Sequence, residues 1–170
     1  MSSAYRVCFV CTGNICRSPI AESVFRARLA EAGLDGLVEV ASAGTGGWHE
    51  GDGADPRAVS VLDAHGYKSD HTARQFHASW FAGLDLVIAL DEGHLRELRQ
   101  LAPTPAAAAK VRLLRAYDPG IRSSDGRPGD LDVPDPYYGD PAGFEECLEM
   151  VERASAGLLA TVRHTIEETA

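Results

Sequence analysis

Short apolar runs alternate with helical patterns along most of this chain. The runs at 5–10, 37–42 and 84–90 contain the β-branched and aromatic residues typical of buried strands, and each precedes a segment with apolar residues at helical spacing. A fourth apolar run follows at 111–114, and a last helical pattern extends over 144–166. Strands that alternate with helices at this spacing are joined by right-handed crossovers. The sequence therefore predicts an α/β fold, with a small parallel sheet covered by helices on both faces.

The composition is typical of one globular domain, predicted to span residues 1–170. The chain is 45% hydrophobic and 24% charged, which is enough apolar material for a single core. The net charge of −9 argues against a nucleic-acid or anionic-membrane partner. No apolar run reaches the roughly 18 residues that a membrane span needs, and the first six residues lack a signal-peptide pattern. A cytoplasmic location is therefore expected.

The loop after the first predicted strand has the composition of an anion site. It reads Cys11-Thr-Gly-Asn-Ile-Cys-Arg17-Ser18-Pro19, in which Ser18 is the expected N-cap and Pro19 the first residue of a helix. Ligands of parallel sheets bind outside the carboxyl ends of the strands, where this loop lies. A loop that enters a helix directs several backbone N–H groups at one point, and the helix dipole adds positive potential there. The loop is thus predicted to bind phosphate.

Cys11 and Arg17 fit phosphoryl transfer by a nucleophilic cysteine. The planar guanidinium of Arg17 can hold two phosphate oxygens, and its charge would favour the thiolate form of Cys11. Gly13 permits an unusual backbone angle, and Asn14 is among the few other residues that tolerate a left-handed conformation. The thiolate would attack phosphorus in line with the leaving group while Arg17 and the loop amides hold the equatorial oxygens. This chemistry requires no metal and no cofactor.

Asp135 is the candidate for the acid that protonates a leaving group. It lies between two prolines in the segment Val133-Pro-Asp-Pro-Tyr137-Tyr138-Gly, which restricts its backbone and limits its solvation. A simple turn aspartate is the alternative interpretation, because Asp and Pro are both common in turns. The segment alone leaves both interpretations open.

Two separated motifs resemble those of the low-molecular-weight protein tyrosine phosphatases. They are VCFVCTGNICRSPIAE at 7–22 and Asp135-Pro-Tyr-Tyr-Gly. Thr12 resembles the bacterial members, because eukaryotic members commonly have Leu there. Further segments occur in the family's order: Ser42-Ala-Gly with Trp48, DPRAVS from Asp55, and HTARQ from His71. The resemblance covers nearly the whole chain and implies a four-stranded sheet, with the phosphate-binding loop after the first strand.

The resemblance also implies an activity, the hydrolysis of phosphotyrosine in proteins through a phosphocysteine intermediate on Cys11. Arg17 would bind the phosphate, and Asp135 would protonate the tyrosyl oxygen and then activate water. Ser18 would form a hydrogen bond with the Cys11 sulfur. Inorganic phosphate and similar oxyanions would be competitive inhibitors. The other implied site residues are Thr12, Gly13, Asn14, Ile15 and Cys16 in the phosphate-binding loop, Ser42 and His71 as braces of that loop with Asn14, and Ile15, Trp48, Tyr137 and Tyr138 as walls of the substrate slot.

Three other functions use a similar set of residues. A thiol arsenate reductase would need cysteines for a disulfide relay between Cys16 and Cys147, and the sequence has none there. A protein arginine phosphatase of the same family would have Thr at the position of Ile15, whose bulk should favour a flat aryl substrate. A phosphotyrosine-binding module without turnover would lack the nucleophile or the acid, but Cys11 and Asp135 are both present.

The remaining cysteines and histidines receive simpler interpretations. Four cysteines are too few for a disulfide scaffold and fit a reducing compartment. Cys16 could trap an oxidised Cys11 as a disulfide, so the loop is expected to be redox-sensitive. Histidines without a motif, among them His49 and His94, are expected to be surface residues or satisfied core residues.

Overall fold

The sheet in the computed structural model is parallel and four-stranded. The structure describes residues 4–68, 70–120, 131–136 and 141–169. The second, first, third and fourth strands along the chain lie side by side in that order, and Val7 of the first strand is opposite Val40 on one side and Leu86 on the other. This confirms the predicted parallel sheet. The strands are β1 (Tyr5–Cys11), β2 (Val38–Gly44), β3 (Leu86–Ala89) and β4 (Val111–Leu113).

Helices follow the strands as the sequence pattern indicates. Asp55 begins one helix by accepting a hydrogen bond from the Arg57 amide, and Asp91 begins another by accepting from the His94 amide, both at 2.8 Å. No helix within the described residues is long and apolar enough to cross a bilayer. The helices are α1 (Arg17–Glu31), α2 (Pro56–Ala64), α3 (Glu92–Leu101), α4 (Pro105–Ala108) and α5 (Pro141–Thr169), with short 3-10 helices at Ala78–Gly83 and Leu114–Tyr117.

The two faces of the sheet carry separate hydrophobic cores. Val7 and Phe9 of β1 pack in the core that includes residues of α1, α2 and α5. Cys8 and Val10, which alternate with them, pack in the core that includes residues of α3 and α4. All four side chains are at most 1% exposed, and burying each large apolar side chain contributes about 1.5–3 kcal/mol. The helices thus cover both faces and leave the carboxyl edge of the sheet for the loops.

Ser18 does not cap α1, contrary to the expectation from sequence. The helix begins at Arg17, and Cys16 precedes it without a side-chain capping bond. The Ser18 hydroxyl is fully buried and lies against the side chains of Cys11 and Asn14. The start of the helix is displaced because the hydroxyl forms these tertiary contacts in place of a bond to the first helical turn.

Candidate active site

The loop between β1 and α1 is held by backbone bonds from the segments that follow β2. The amides of Thr45 and Gly46 donate to the carbonyls of Cys11 and Thr12 at 2.8 and 3.0 Å. The Asp55 amide, just before α2, donates to the Ile15 carbonyl at 2.8 Å. Three carbonyls along the loop are therefore bound by neighbouring amides, which fixes the path of the loop.

Asn14 has a left-handed backbone conformation that four hydrogen bonds maintain. Its φ is 58°, a conformation that costs a non-glycine residue about 1 kcal/mol or more. Its Nδ2 donates to Ser18 Oγ at 2.8 Å and to Ser42 Oγ at 3.0 Å. Its Oδ1 accepts from the Arg74 amide at 2.9 Å, and its carbonyl accepts from His71 Nε2 at 2.6 Å. The structure thus brings Ser42 and His71 to the loop that the resemblance implied they brace.

Gly13 is small for a different reason from the one expected. The sequence allowed it an unusual backbone angle, but its φ is not positive; Asn14 has the left-handed conformation that the sequence indicated it could tolerate. A Cβ on Gly13 would lie 3.0 Å from Cδ2 of the His49 ring. Gly13 therefore provides space for the imidazole that packs over the loop.

Cys11 lies in a pocket of about 360 Å³. Its side chain is buried, and Sγ lies 3.0 Å from Ser18 Oγ. Asp135 and the strongly exposed Trp48 also line this pocket. The other lining residues are Thr12, Gly13, Ile15, Cys16, Arg17 and His49.

Arg17 is a buried cation held by groups from two distant segments. Its Nη1 donates to Asp91 Oδ2 at 2.8 Å and to the Val133 carbonyl at 2.9 Å. Burial by itself lowers the pKa of Arg17, but Cys11 and the carboxylates of Asp91 and Asp135 outweigh it and hold the pKa above its usual value. A charged guanidinium is thereby retained beside the Cys11 sulfur.

Asp135 reaches the same pocket from the segment between β4 and α5. The Val133 amide donates to the Leu90 carbonyl at 2.8 Å, which ties this segment to the end of β3. The exposed Asp135 carboxylate lies 3.6 Å from Arg17 Nη2. The fold therefore brings Cys11, Arg17 and Asp135 together. Tyr137 and Tyr138, the other expected slot residues, lie outside the described residues.

Cys16 lies in the same pocket as Cys11, and both are free cysteines. Cys16 is 4% exposed. Burial, with smaller contributions from Asp55, Cys11 and Asp135, raises the pKa of the Cys16 thiol above its usual value. The pocket thus holds a second, protonated sulfur.

Two histidines at the site were missed in the sequence interpretation. His49 lines the pocket beside Trp48, with Nδ1 3.4 Å from Asp52 Oδ2. His94 is buried, with Nε2 2.8 Å from Thr12 Oγ1. One sequence signal pointed to His94. It lies in the first turn of α3, three residues after the capping Asp91, and this helix follows the strand that pairs with β1. No metal-binding group of three His, Cys, Asp or Glu side chains occurs within residues 4–68, 70–120, 131–136 and 141–169.

Comparison with known proteins places this arrangement in a family. Residues 6–168 match the family model for low molecular weight phosphotyrosine protein phosphatase. The low molecular weight protein-tyrosine-phosphatase of Streptomyces coelicolor is 71% identical over 163 residues, covering 96% of either chain.

Two solved structures are similar to this fold along almost its whole length. A protein tyrosine phosphatase from Entamoeba histolytica, with Hepes in its active site, has a TM-score of 0.88 at 31% identity and covers 95% of this chain and 99% of its own. The Drosophila arginine phosphatase has a TM-score of 0.81 at 30% identity and covers 92% of this chain and 96% of its own. With the family model matched over nearly every residue, this chain belongs to the low molecular weight phosphotyrosine protein phosphatase family.

Proposed function

We propose that this protein, as a single domain of residues 1–170, hydrolyses phosphotyrosine in proteins through a phosphocysteine intermediate on Cys11. The observation that carries the proposal is that the Cys11 sulfur, the buried Arg17 guanidinium and the Asp135 carboxylate line one pocket. A nucleophile, an oxyanion-binding cation and a proton donor are the groups that this reaction needs. Membership of the family supports the same enzyme class.

Ser18 supports the nucleophile through the direction of its hydroxyl proton. Asn14 Nδ2 is a donor only, so Ser18 Oγ accepts the hydrogen bond between them. The Ser18 proton can then point to Cys11 Sγ at 3.0 Å or to the Ala43 carbonyl at 3.4 Å, and a sulfur anion favours the first of these. A sulfur anion gains from this donated bond, because charge-assisted hydrogen bonds are stronger than neutral ones.

The first half of the reaction transfers the phosphoryl group to the enzyme. The Cys11 thiolate forms an S–P bond in line with the departing tyrosyl oxygen, the P–O bond breaks, and the proton of Asp135 passes to that oxygen. Arg17 and the loop N–H groups hold the three equatorial oxygens throughout. The bonds from Arg17 Nη1 to Asp91 and Val133 support this role, because they orient the guanidinium before substrate arrives.

The second half returns the enzyme to its starting state. The ionised Asp135 accepts a proton from water, and the water oxygen attacks phosphorus. The S–P bond breaks, inorganic phosphate leaves and the Cys11 thiolate is restored. Because phosphate occupies the same site as the substrate, it is expected to inhibit competitively.

The aryl group of the substrate fits between Ile15 and Trp48. Ile15 is largely buried and lines the pocket, whereas Trp48 is 76% exposed. The Trp48 ring lies over Gly46, where a Cβ would overlap it. An apolar wall and an exposed indole suit a flat aromatic substrate. We propose Tyr137 and Tyr138 as further walls of this slot.

Phosphoarginine is the second candidate substrate, because the Drosophila arginine phosphatase shares this fold. One assay compares a phosphotyrosine peptide, p-nitrophenyl phosphate and free phosphoarginine, each with wild type and with Cys11→Ser, in the presence of EDTA. We expect turnover of the phosphotyrosine peptide to exceed that of phosphoarginine and to vanish in Cys11→Ser. Full activity of Cys11→Ser would contradict the assignment of Cys11 as the nucleophile. A preference for phosphoarginine would contradict the assignment of phosphotyrosine as the substrate.

A further inference from the structure

A chain of polar contacts runs from His94 in α3 to Thr12 and the guanidinium of Arg17. His94 Nε2 lies 2.8 Å from Thr12 Oγ1 and 3.4 Å from Arg17 Nη2. Thr12 Oγ1 is itself 3.4 Å from Arg17 Nη2. The His94 side chain is only 4% exposed, so these contacts are sheltered from water.

The protons along this chain can be assigned from the chemistry of its members. A guanidinium has donors only, so the His94 nitrogen that faces Arg17 presents a lone pair. The proton of the neutral ring is then on Nδ1, which lies 3.2 Å from Asp91 Oδ1 without hydrogen-bond alignment. With Nε2 as acceptor, Thr12 donates its hydroxyl proton to His94 and turns an oxygen lone pair toward Arg17.

Burial and the charge of Arg17 together keep the His94 ring neutral, although two carboxylates act in the opposite direction. Arg17 from α1 opposes a second cation, whereas Asp91 before α3 and Asp135 from the 131–136 segment favour one. Burial is the largest influence, and together with Arg17 it lowers the pKa of His94 to about 4. The ring is therefore an acceptor at neutral pH.

We infer that Thr12 and His94 act as one positioning unit for Arg17. Nη1 is already bound by Asp91 and Val133. The unit offers Nη2 an oxygen lone pair of Thr12, which the hydrogen bond from Thr12 to His94 Nε2 holds in place. The lone pair of Nε2, which accepts that bond, also makes a longer contact of 3.4 Å with Nη2. This orients the second arm of the guanidinium toward the phosphate site. The inference depends on the phosphate-binding role proposed for Arg17.

The test is a double-mutant cycle with Thr12→Val, His94→Phe and both together. Val and Phe keep the approximate shapes while removing the hydroxyl and the ring acceptor. We measure kcat/KM for a phosphotyrosine peptide and the inhibition constant of inorganic phosphate. Each single variant should weaken phosphate inhibition by about tenfold, the loss expected for one hydrogen bond to a charged group. The double variant should be no worse than either single one, because the members act together.

Three further variants separate positioning from structural support. Thr12→Ser keeps the hydroxyl and should retain wild-type phosphate inhibition, which tests the unit even where His94→Phe does not fold. His94→Gln offers an amide oxygen to Thr12 and should lose less than His94→Phe. His77→Phe makes the same replacement at an exposed histidine beside Trp80 and should leave every constant unchanged.

The outcomes distinguish this inference from the proposed function. Independent, multiplicative losses in the double variant would overturn the positioning unit. So would unchanged phosphate inhibition in Thr12→Val, or equal behaviour of Thr12→Ser and Thr12→Val. Activity that persists in Cys11→Ser would instead overturn the proposed function, whatever the cycle shows.

Discussion

Ser18 Oγ lies 3.0 Å from Cys11 Sγ and accepts a hydrogen bond from Asn14 Nδ2 at 2.8 Å. The serine at the start of α1 is therefore joined to the proposed nucleophile instead of to the helix backbone. The same Asn14 side chain also binds Ser42 Oγ, so the second strand contributes to the support of Cys11.

Ser18→Ala should lower kcat for a phosphotyrosine peptide by about 10- to 100-fold, because it removes a hydrogen bond to a charged sulfur. Steady-state kinetics at neutral pH measures the effect. Ser23→Ala in the same helix is the matched control and should behave as wild type. Equal kinetics for the two variants would mean that the Ser18 hydroxyl does not support Cys11.

Asp135→Asn should impair substrates according to their leaving group. A general acid contributes about 10²–10⁴-fold, and its contribution grows with the basicity of the departing oxygen. Phosphotyrosine should therefore lose far more kcat/KM than p-nitrophenyl phosphate. Equal losses for both substrates would identify Asp135 as a turn residue and leave the acid unassigned.

Ile15→Thr should move the activity ratio from phosphotyrosine toward phosphoarginine. The substitution removes apolar bulk from the pocket wall, an effect worth about 1–3 kcal/mol in a hydrophobic site. Parallel assays with a phosphotyrosine peptide and free phosphoarginine give the ratio. A ratio unchanged from wild type would exclude Ile15 as the selectivity residue.

Peroxide should inactivate the wild type reversibly, because a Cys11 sulfenic acid can condense with Cys16 in the same pocket. That step forms an S–S bond and releases water, and reductant then restores both thiols. Inorganic phosphate should protect Cys11 by occupying the pocket. Cys16→Ser should recover less activity with reductant after the same exposure. Equal recovery would show that Cys16 has no protective role.

The free energy of unfolding should fall as pH decreases from about 6.5 to about 4. The pKa of His94 in the folded protein lies below its ordinary value. As pH falls, the unfolded chain therefore takes up a proton at His94 before the folded protein does, which stabilises the unfolded state over that range. The contribution of neutral His94 to the free energy of unfolding is fully present above pH 6.5 and is on the order of 3 kcal/mol. Urea unfolding at several pH values should show a shallower decline for His94→Gln, which does not titrate. Parallel curves for the two proteins would contradict a buried neutral His94.

Local patterns in the sequence determined the layers of this protein. The run Val7–Val10 is apolar at every position, with no alternation of apolar and polar residues. A strand with this pattern is buried on both faces of its sheet. Asp55 and Asp91 each begin a helix at the position that the sequence indicates. These features depend on residues that are close together in the sequence, so the sequence alone predicts them. The motif around Cys11, and the family resemblance based on it, could likewise be recognised from the sequence alone.

Only the tertiary structure decided which side chains meet Arg17. Asp91, His94 and Val133 are more than 70 residues away in sequence, and the pairing of β3 with β1 brings their segments to the loop. The tertiary structure also directs the Ser18 hydroxyl toward Cys11, where the sequence had indicated a helix cap. Hydrogen bonds between distant segments leave no periodicity in the sequence, because each depends on the packing of whole helices and strands. The sequence alone predicted an ordinary surface or core histidine at position 94. The pairing of β3 with β1 in the folded protein is what places His94 beside Thr12.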